Sequence, residues 1–266
     1  MLNLLENLSP GSRVLDLGAG PGSFRTLRTD LVIVRLDLEI AGTRAPGSYV
    51  AADAARMPFA SQSFDLIVSN HSLEHFPELE ATVREIGRVI CPGGALYIAV
   101  PDAGTLADRI YRWMAKGGGH VNPFRSPGEV ASLVERLTGL PLRSTQVLFS
   151  SLSFLNEHRI VGRPQRKSIL FAYGNERFLA RLMWLARYVD RRFGTRFSHY
   201  GWAFYFGNVD LPKVLEPWMN VCVRCGSAQA VVYLRKVGAI PPILKRLQWY
   251  QCPDCGGQNL LSVEEE

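Results

Sequence analysis

Residues Val14 to Gly22 read Val-Leu-Asp-Leu-Gly-Ala-Gly-Pro-Gly, an apolar run that passes straight into three alternate glycines. Such a segment commits the chain to a β-strand ending in a tight turn, because glycine lets the backbone reverse and admits a ligand with no Cβ in the way. It does not choose the ligand: a dinucleotide or a purely structural turn would suit it too. Strand candidates are Arg13 to Asp16, Leu31 to Asp37, Phe64 to Ser69, Ala95 to Val100, Arg143 to Ser150 and Trp202 to Val209. Between them lie helix candidates at Glu78 to Val89, stopped by Cys91 to Gly94, and at Glu129 to Thr138, closed by Gly139. This alternation is the pattern of an α/β fold, a parallel sheet covered on both faces. With 266 residues, 47% of them hydrophobic, the chain can bury one large core and still carry an attachment.

The polar residues at strand ends narrow the ligand. Asp37 ends the second strand candidate about twenty residues after the first glycine, where a carboxylate accepts hydrogen bonds from both ribose hydroxyls. Asp53, in Ala52-Asp53-Ala54, follows the next segment and can meet an adenine amino group. Asn70 and His71 follow Phe64 to Ser69, at the carboxyl end where open α/β sheets bind ligands.

Taken together, VLDLGAGPG, the strand-ending Asp37, DAARMPFASQSFDLIVSNHSLEHF and CPGGALYIAVPD resemble the successive motifs of the small-molecule class I S-adenosylmethionine-dependent methyltransferase superfamily, over residues 11 to about 102. The resemblance implies a Rossmann-like, seven-stranded, mostly parallel sheet with its last strand antiparallel. It also implies Gly18, Gly20 and Gly22 along the methionine part of the cofactor, Asp37 on its ribose, Asp53 and Ala54 beside adenine, and Asn70 under the sulfonium. Asp16, Ala19 and Leu38 complete the expected cofactor set. NAD is the alternative, but the LEHF and PGG segments fit methyltransferases.

Methyl transfer is an in-line displacement at a cationic sulfonium, so the enzyme mainly positions a nucleophile and removes its proton if it has one. The candidates for that task are His71, His75 and His120, with Glu74 beside them; histidine titrates near neutrality. His75 and His120 have a structural alternative, holding backbone at a helix start and in a loop. Ser69-Asn70-His71-Ser72 replaces the Asn/Asp-Pro-Pro-aromatic tetrad that marks base-amino methyltransferases.

About fifty residues separate the last two strand candidates, so residues 151–200 read as a helical insertion forming a substrate cap. Glu176 to Phe193 is expected to be a two-faced helix with Phe178, Leu182, Leu185 and Val189 on the apolar side and Arg177, Arg187 and Arg191 away from it. Such a helix packs on a core, or docks on an acidic substrate or a membrane surface. Phe149, Phe154, Phe171 and Tyr173 are candidates to roof an apolar pocket.

Composition changes near Pro212 to Pro217, dividing a catalytic domain, 1–211, from a cysteine module, 212–266. Cys222-Val-Arg-Cys225-Gly and Cys252-Pro-Asp-Cys255-Gly are two C-x-x-C knuckles separated by 26 residues, and four thiolates at such spacing close a tetrahedral zinc site. Val231 to Val237 and Leu247 to Gln251 are read as the two strands of a zinc ribbon, and the odd Cys91 as packing.

No signal-like or membrane-spanning run occurs in the sequence, which points to the cytoplasm. The net charge of +6 permits an anionic partner, though an Arg-rich composition explains it equally. The expected function is transfer of a methyl group to a small-molecule, lipid or glycan acceptor; the alternative is a zinc-containing RNA methyltransferase using the cysteine module and basic helix for recognition.

Overall fold

The computed structural model describes residues 2–24, 26–40, 45–114, 119–155, 175–209, 220–240 and 248–262. In chain order they form α1 (Leu2–Glu6), β1 (Arg13–Leu17), β2 (Val32–Asp37), β3 (Ser48–Ala51), β4 (Phe64–Asn70), α2 (Leu79–Val89), β5 (Ile90–Pro101), α3 (Leu106–Met114) and α4 (Pro127–Thr138). There follow β6 (Leu142–Phe149), α5 (Glu176–Phe193), β7 (His199–Gly207), β8 (Asn220–Val221), β9 (Ala228–Gln229), α6 (Val231–Lys236), β10 (Trp249–Gln251) and β11 (Gln258–Leu260). The chain divides into two compact units, one of residues 1–103, 119–146 and 201–215, the other of 104–118, 147–200 and 216–266. Among the described residues no helix is long and apolar enough to cross a membrane.

The first unit is built on a Rossmann-like sheet of order β3-β2-β1-β4-β5-β7-β6. The pairs β1–β2, β1–β4, β2–β3 and β4–β5 are parallel, and β7 runs antiparallel to β5 from Ala95↔Gly207 to Pro101↔Gly201. Phe64, Leu66, Ile67 and Val68 of β4 are all buried, as a central parallel strand covered on both faces requires. The short strand β3 has no strong sequence signal. Cys91 to Gly94, expected as a turn, is the irregular start of β5, where pairing jumps from Phe64↔Ile90 to Leu66↔Ala95.

Helices α2 and α4 close one core. Val83, Ile86 and Val89 meet Val130 and Val134 over Leu96, Ile98, Phe204 and Phe206. Each such fully buried side chain contributes about 1.5–3 kcal/mol. Gly87 brings the two helices into backbone contact, since a Cβ there would lie 3.0 Å from Thr138 Cα. Pro127 opens α4 and Gly139, at φ 72°, ends it.

In the second unit α5 has the bounds its spacing predicts. The Asn175 side chain accepts a hydrogen bond from Phe178 N at 3.0 Å, and Gly194 ends the helix in the left-handed region. Its buried face, however, is not the expected one. Leu179, Ala180 and Met183 pack with Leu152, Leu155 and Val223, while Leu182 and Leu185 are 37% and 52% exposed. Arg187, expected on the solvent side, is buried and donates through Nη2 to Ser150 O at 3.1 Å. Asp190 lies on the same buried face and accepts from Thr195 Oγ1, Phe197 N, Ser198 N and Ser198 Oγ. Hydrophobic periodicity counts both residues as solvent-facing, and so turned the helix the wrong way.

The inserted helix and the cysteine module belong to this one unit. Arg224 Nε pairs with Glu176 Oε2 at 2.7 Å, and Gln258 N donates to Glu176 Oε1 at 3.0 Å. Val231–Lys236, expected as a strand, is the helix α6. It turns Leu234 into a small core with Cys222, Cys252 and Tyr250. Phe171, Tyr173, the Phe154 side chain and the boundary at Pro212 to Pro217 lie outside the described residues.

Candidate functional site

In the first unit, β1 delivers the chain into the glycine turn. Gly18, Gly20 and Gly22 take φ of 67°, 51° and 111°, a region that costs other residues free energy. A Cβ on Gly18 would lie 2.4 Å from Ser72 Cβ and one on Gly22 2.5 Å from Ala45 Cβ, whereas one on Gly20 would project into open space. The outer glycines are thus required by neighbouring protein, the middle one by its conformation. Gly18 N and Ala19 N donate to Leu36 O, and Gly20 N donates to Asp37 Oδ2 at 2.7 Å.

Beneath the turn lies an ion pair that sequence reasoning did not identify. Arg35 is 1% exposed; it bonds Asp16 through Nη1, Pro46 O through Nε and Phe24 O through Nη2, and stacks over the Phe24 ring. Asp16 also accepts from Ser23 N and Ser23 Oγ. Burial pushes the Asp16 carboxyl up, against the opposing pull of Ser23 and Arg35. Asp16 therefore holds the turn from below and does not line the cavity above it.

That cavity, about 410 Å³, sits at the carboxyl ends of β1, β2 and β4. Of the expected cofactor residues, Gly18, Asp37, Leu38, Asp53 and Ala54 line it, joined by His71, Ser72, His75 and Phe76. Asn70 ends β4 half-buried and is not part of the wall; His71 and Ser72 occupy that end. Asp53 Oδ1 accepts from Ala55 N at 2.9 Å, which fixes its carboxylate in a turn. Among the described residues the wall carries the carboxylates of Asp37, Asp53 and Glu78 and no lysine or arginine. Glu78 meets the exposed Arg56 at 3.3 Å. The wall suits a cationic ligand better than a pyrophosphate.

The three expected catalytic histidines come together at the same end. His71, at φ 57°, follows β4, and its N donates to Ala99 O at 2.9 Å. Burial, with His120 and His75 nearby, lowers its pKa to about 4. His75 sits in the turn Leu73–His75, its Nδ1 3.0 Å from Gly119 O, and its ring meets His120 edge to face at 4.9 Å. Burial lowers the His75 pKa as well, so both rings facing the cavity are neutral at pH 7. Asn122 Nδ2 clamps this turn by donating to Leu73 O and Phe76 O.

In the second unit the four cysteines converge, their Sγ atoms all within 4.8 Å of one another. Cys222–Cys255 and Cys225–Cys252 approach to 3.6 and 3.7 Å. Four metal–sulfur bonds of about 2.3 Å in a tetrahedron set sulfurs about 3.8 Å apart, so the spacing fits one ion. The two knuckles repeat one pattern. Gly226 N donates to Cys222 O and Gly256 N to Cys252 O, with both glycines at positive φ. Hairpins β8–β9 and β10–β11 extend from them. Arg224 N and Asn259 Nδ2 donate to Cys222 Sγ, and hydrogen bonds from Cys225 and Cys252 hold that thiol far below its usual range. Cys91 stands apart, its Sγ on Gln62 O.

Residues 15–98 match the family model described as a methyltransferase domain. The chain is 35% identical over 129 residues to a malonyl-[acyl-carrier protein] O-methyltransferase of Methylococcus capsulatus, covering 43% of this chain and 47% of that protein. It is also 35% identical over 100 residues to a demethylmenaquinone methyltransferase of Corynebacterium urealyticum, covering 35% and 43%. The chain spans about half the length of the curated relatives it matches. Among solved structures, a provisionally assigned methyltransferase of Bacillus halodurans superposes with a TM-score of 0.51 at 18% identity, over 79% of this chain and 97% of that one. The likeness shows the fold, that of the Bacillus halodurans structure, with the methyltransferase-domain match lying over residues 15–98 of the first unit.

Proposed function

We propose that the chain transfers a methyl group from S-adenosylmethionine to a small-molecule or lipid-like acceptor, and that its second unit holds a structural zinc ion. The observation that carries the first part is the acidic cavity at the carboxyl end of the sheet, with Gly18, Asp37, Asp53 and two neutral histidines on its wall. When bound, the cofactor supplies an electrophilic methyl group on a cationic sulfonium. Asp37, on that wall, would accept from the ribose hydroxyls, and Asp53 and Ala54 would border adenine. The open space beyond Gly20 leaves room for the backbone of the turn to be approached. His71, kept neutral by burial, adds no positive charge that would repel the sulfonium. The relatives named for malonyl-acyl-carrier protein and demethylmenaquinone support acceptors of the small-molecule or lipid-like kind.

The sulfur spacing and the amide donors at Cys222 support zinc, and a closed four-thiolate site has no position open for chemistry. A four-thiolate site of this kind suits a reducing compartment, which supports the cytoplasm. The test is to incubate the protein with methyl-labelled cofactor and cell extract, then separate RNA, lipid, polysaccharide and small metabolites. Label in the lipid or small-metabolite fraction is expected. Label confined to RNA would replace this acceptor reading, and no cofactor binding by calorimetry would remove the transfer reading itself.

A further inference from the structure

The turn Leu73–His75 and the loop that follows Gly119 bring Glu74, His75 and His120 together. One ligand atom from each lies within 4.8 Å of the others. Glu74 is 1% exposed, and its Oε1 lies 4.0 Å from His75 Nε2. The hydrogen bond on the other side of the His75 ring decides which nitrogen is available. Gly119 O can only accept, so the proton of the neutral ring is on Nδ1, 3.0 Å away. Nε2 then carries a lone pair on the side of the Glu74 carboxyl group, 4.0 Å away.

We infer that Glu74, His75 and His120 form a second metal site, distinct from the four cysteines, for a divalent transition ion of the zinc or iron(II) class. Two imidazoles and one carboxylate are a donor set that such ions accept while keeping coordination positions open. The Nδ1–H of His75 on a backbone carbonyl is the outer contact that orients a ligating imidazole. Metal–ligand bonds of about 2.1 Å hold ligand atoms about 3 to 4.2 Å apart. The His75 side chain, 39% exposed, is free to close the remaining distance. Glu74 is fixed from the other side, its carbonyl accepting from Val121 N and Asn122 N.

His75 also lines the cavity, which sets the proposed metal site at its edge. The experiment is substitution with cobalt(II), counting bound metal and recording electronic absorption. Intense thiolate-to-cobalt charge-transfer bands, together with the strong ligand-field bands of the same tetrahedral ion, form the charge-transfer set and report the cysteine site; additional weak ligand-field bands report a nitrogen and oxygen site. The wild type is expected to hold two ions and show both sets, and the double variant H75A/H120A to hold one and keep only the charge-transfer set. E74Q, which preserves shape, is expected to weaken the second ion selectively. A wild type showing only the charge-transfer set, or a double variant retaining both sets, overturns the site. Cofactor binding is measured on the same samples: two ions without cofactor binding would leave the metal site standing and remove the methyl-transfer reading alone.

Discussion

The cofactor cavity and the cysteine cluster both use glycines at positive φ to bring backbone close to a concentration of negative charge, but they arrange that charge differently. Around the cavity, Asp37, Asp53 and Glu78 are spread over an open wall, with no cation of the protein built into it among the described residues. In the cluster, four sulfurs close within 4.8 Å and amide and side-chain donors turn inward. An open acidic wall fits an exchangeable cation, a closed thiolate cage a permanent one. On the functions proposed above, the first arrangement would serve turnover and the second structure.

The largest effect expected is on the closed site. Apparent binding free energies of structural zinc in small modules are about 10–16 kcal/mol near pH 7, so C252S should lose the ion and the ordered knuckles with it. Hydrogen exchange should show protection lost in hairpins β8–β9 and β10–β11 and kept in β4 and β5; protection kept in both hairpins would break the comparison. Next is the support beneath the open site. R35M leaves Asp16 buried without its cation and should cost about 3–5 kcal/mol in denaturant unfolding. D37N, which keeps shape but removes charge, should weaken cofactor binding by roughly 10- to 150-fold in calorimetry, the equivalent of about 1.5–3 kcal/mol.

The smallest effect is a pH dependence. The folded pKa of His71, about 4, lies below the ordinary histidine value of 6.5, so the unfolded chain takes up the proton first as pH falls. Stability is unaffected by this group above about pH 6.5 and declines from there toward pH 4, where the loss is complete. Thermal unfolding across that range should be flatter for H71N than for the wild type.

The first unit was legible because its signals are local. A glycine turn, strand-ending carboxylates and amphipathic helices each announce themselves within about ten residues, and β1, β2, β4, α2 and α4 form close to the expected bounds. What stayed hidden depends on distant partners. Nothing in Val32–Asp37 says that Arg35 will be buried against Asp16 and two carbonyls. Likewise the large apolar residues of α5 lie along the wrong stripe, because Arg187 finds Ser150 O and Asp190 finds four donors. Val231 to Val237 reads as a strand by its β-branched residues, but Leu234 reaches the Cys222 and Tyr250 core from a helix. At the cavity, Ser72 carried no signal beyond proximity to the LEHF segment and Phe76 none beyond belonging to it, whereas the three histidines were marked by side-chain chemistry alone.

The repeated hydrogen-bond pattern of the two knuckles bears on how this region can change over evolutionary time. Each knuckle completes its own turn, Gly226 N on Cys222 O and Gly256 N on Cys252 O, with the residues of its own segment. Closing a flexible loop costs only about 0.6 kcal/mol more for each doubling of its length. Insertions between the knuckles are therefore expected to cost little where they fall outside β9, α6 and β10, while an insertion within either knuckle breaks its turn, so homologues of this module are to be recognised by the paired knuckles and not by the distance between them.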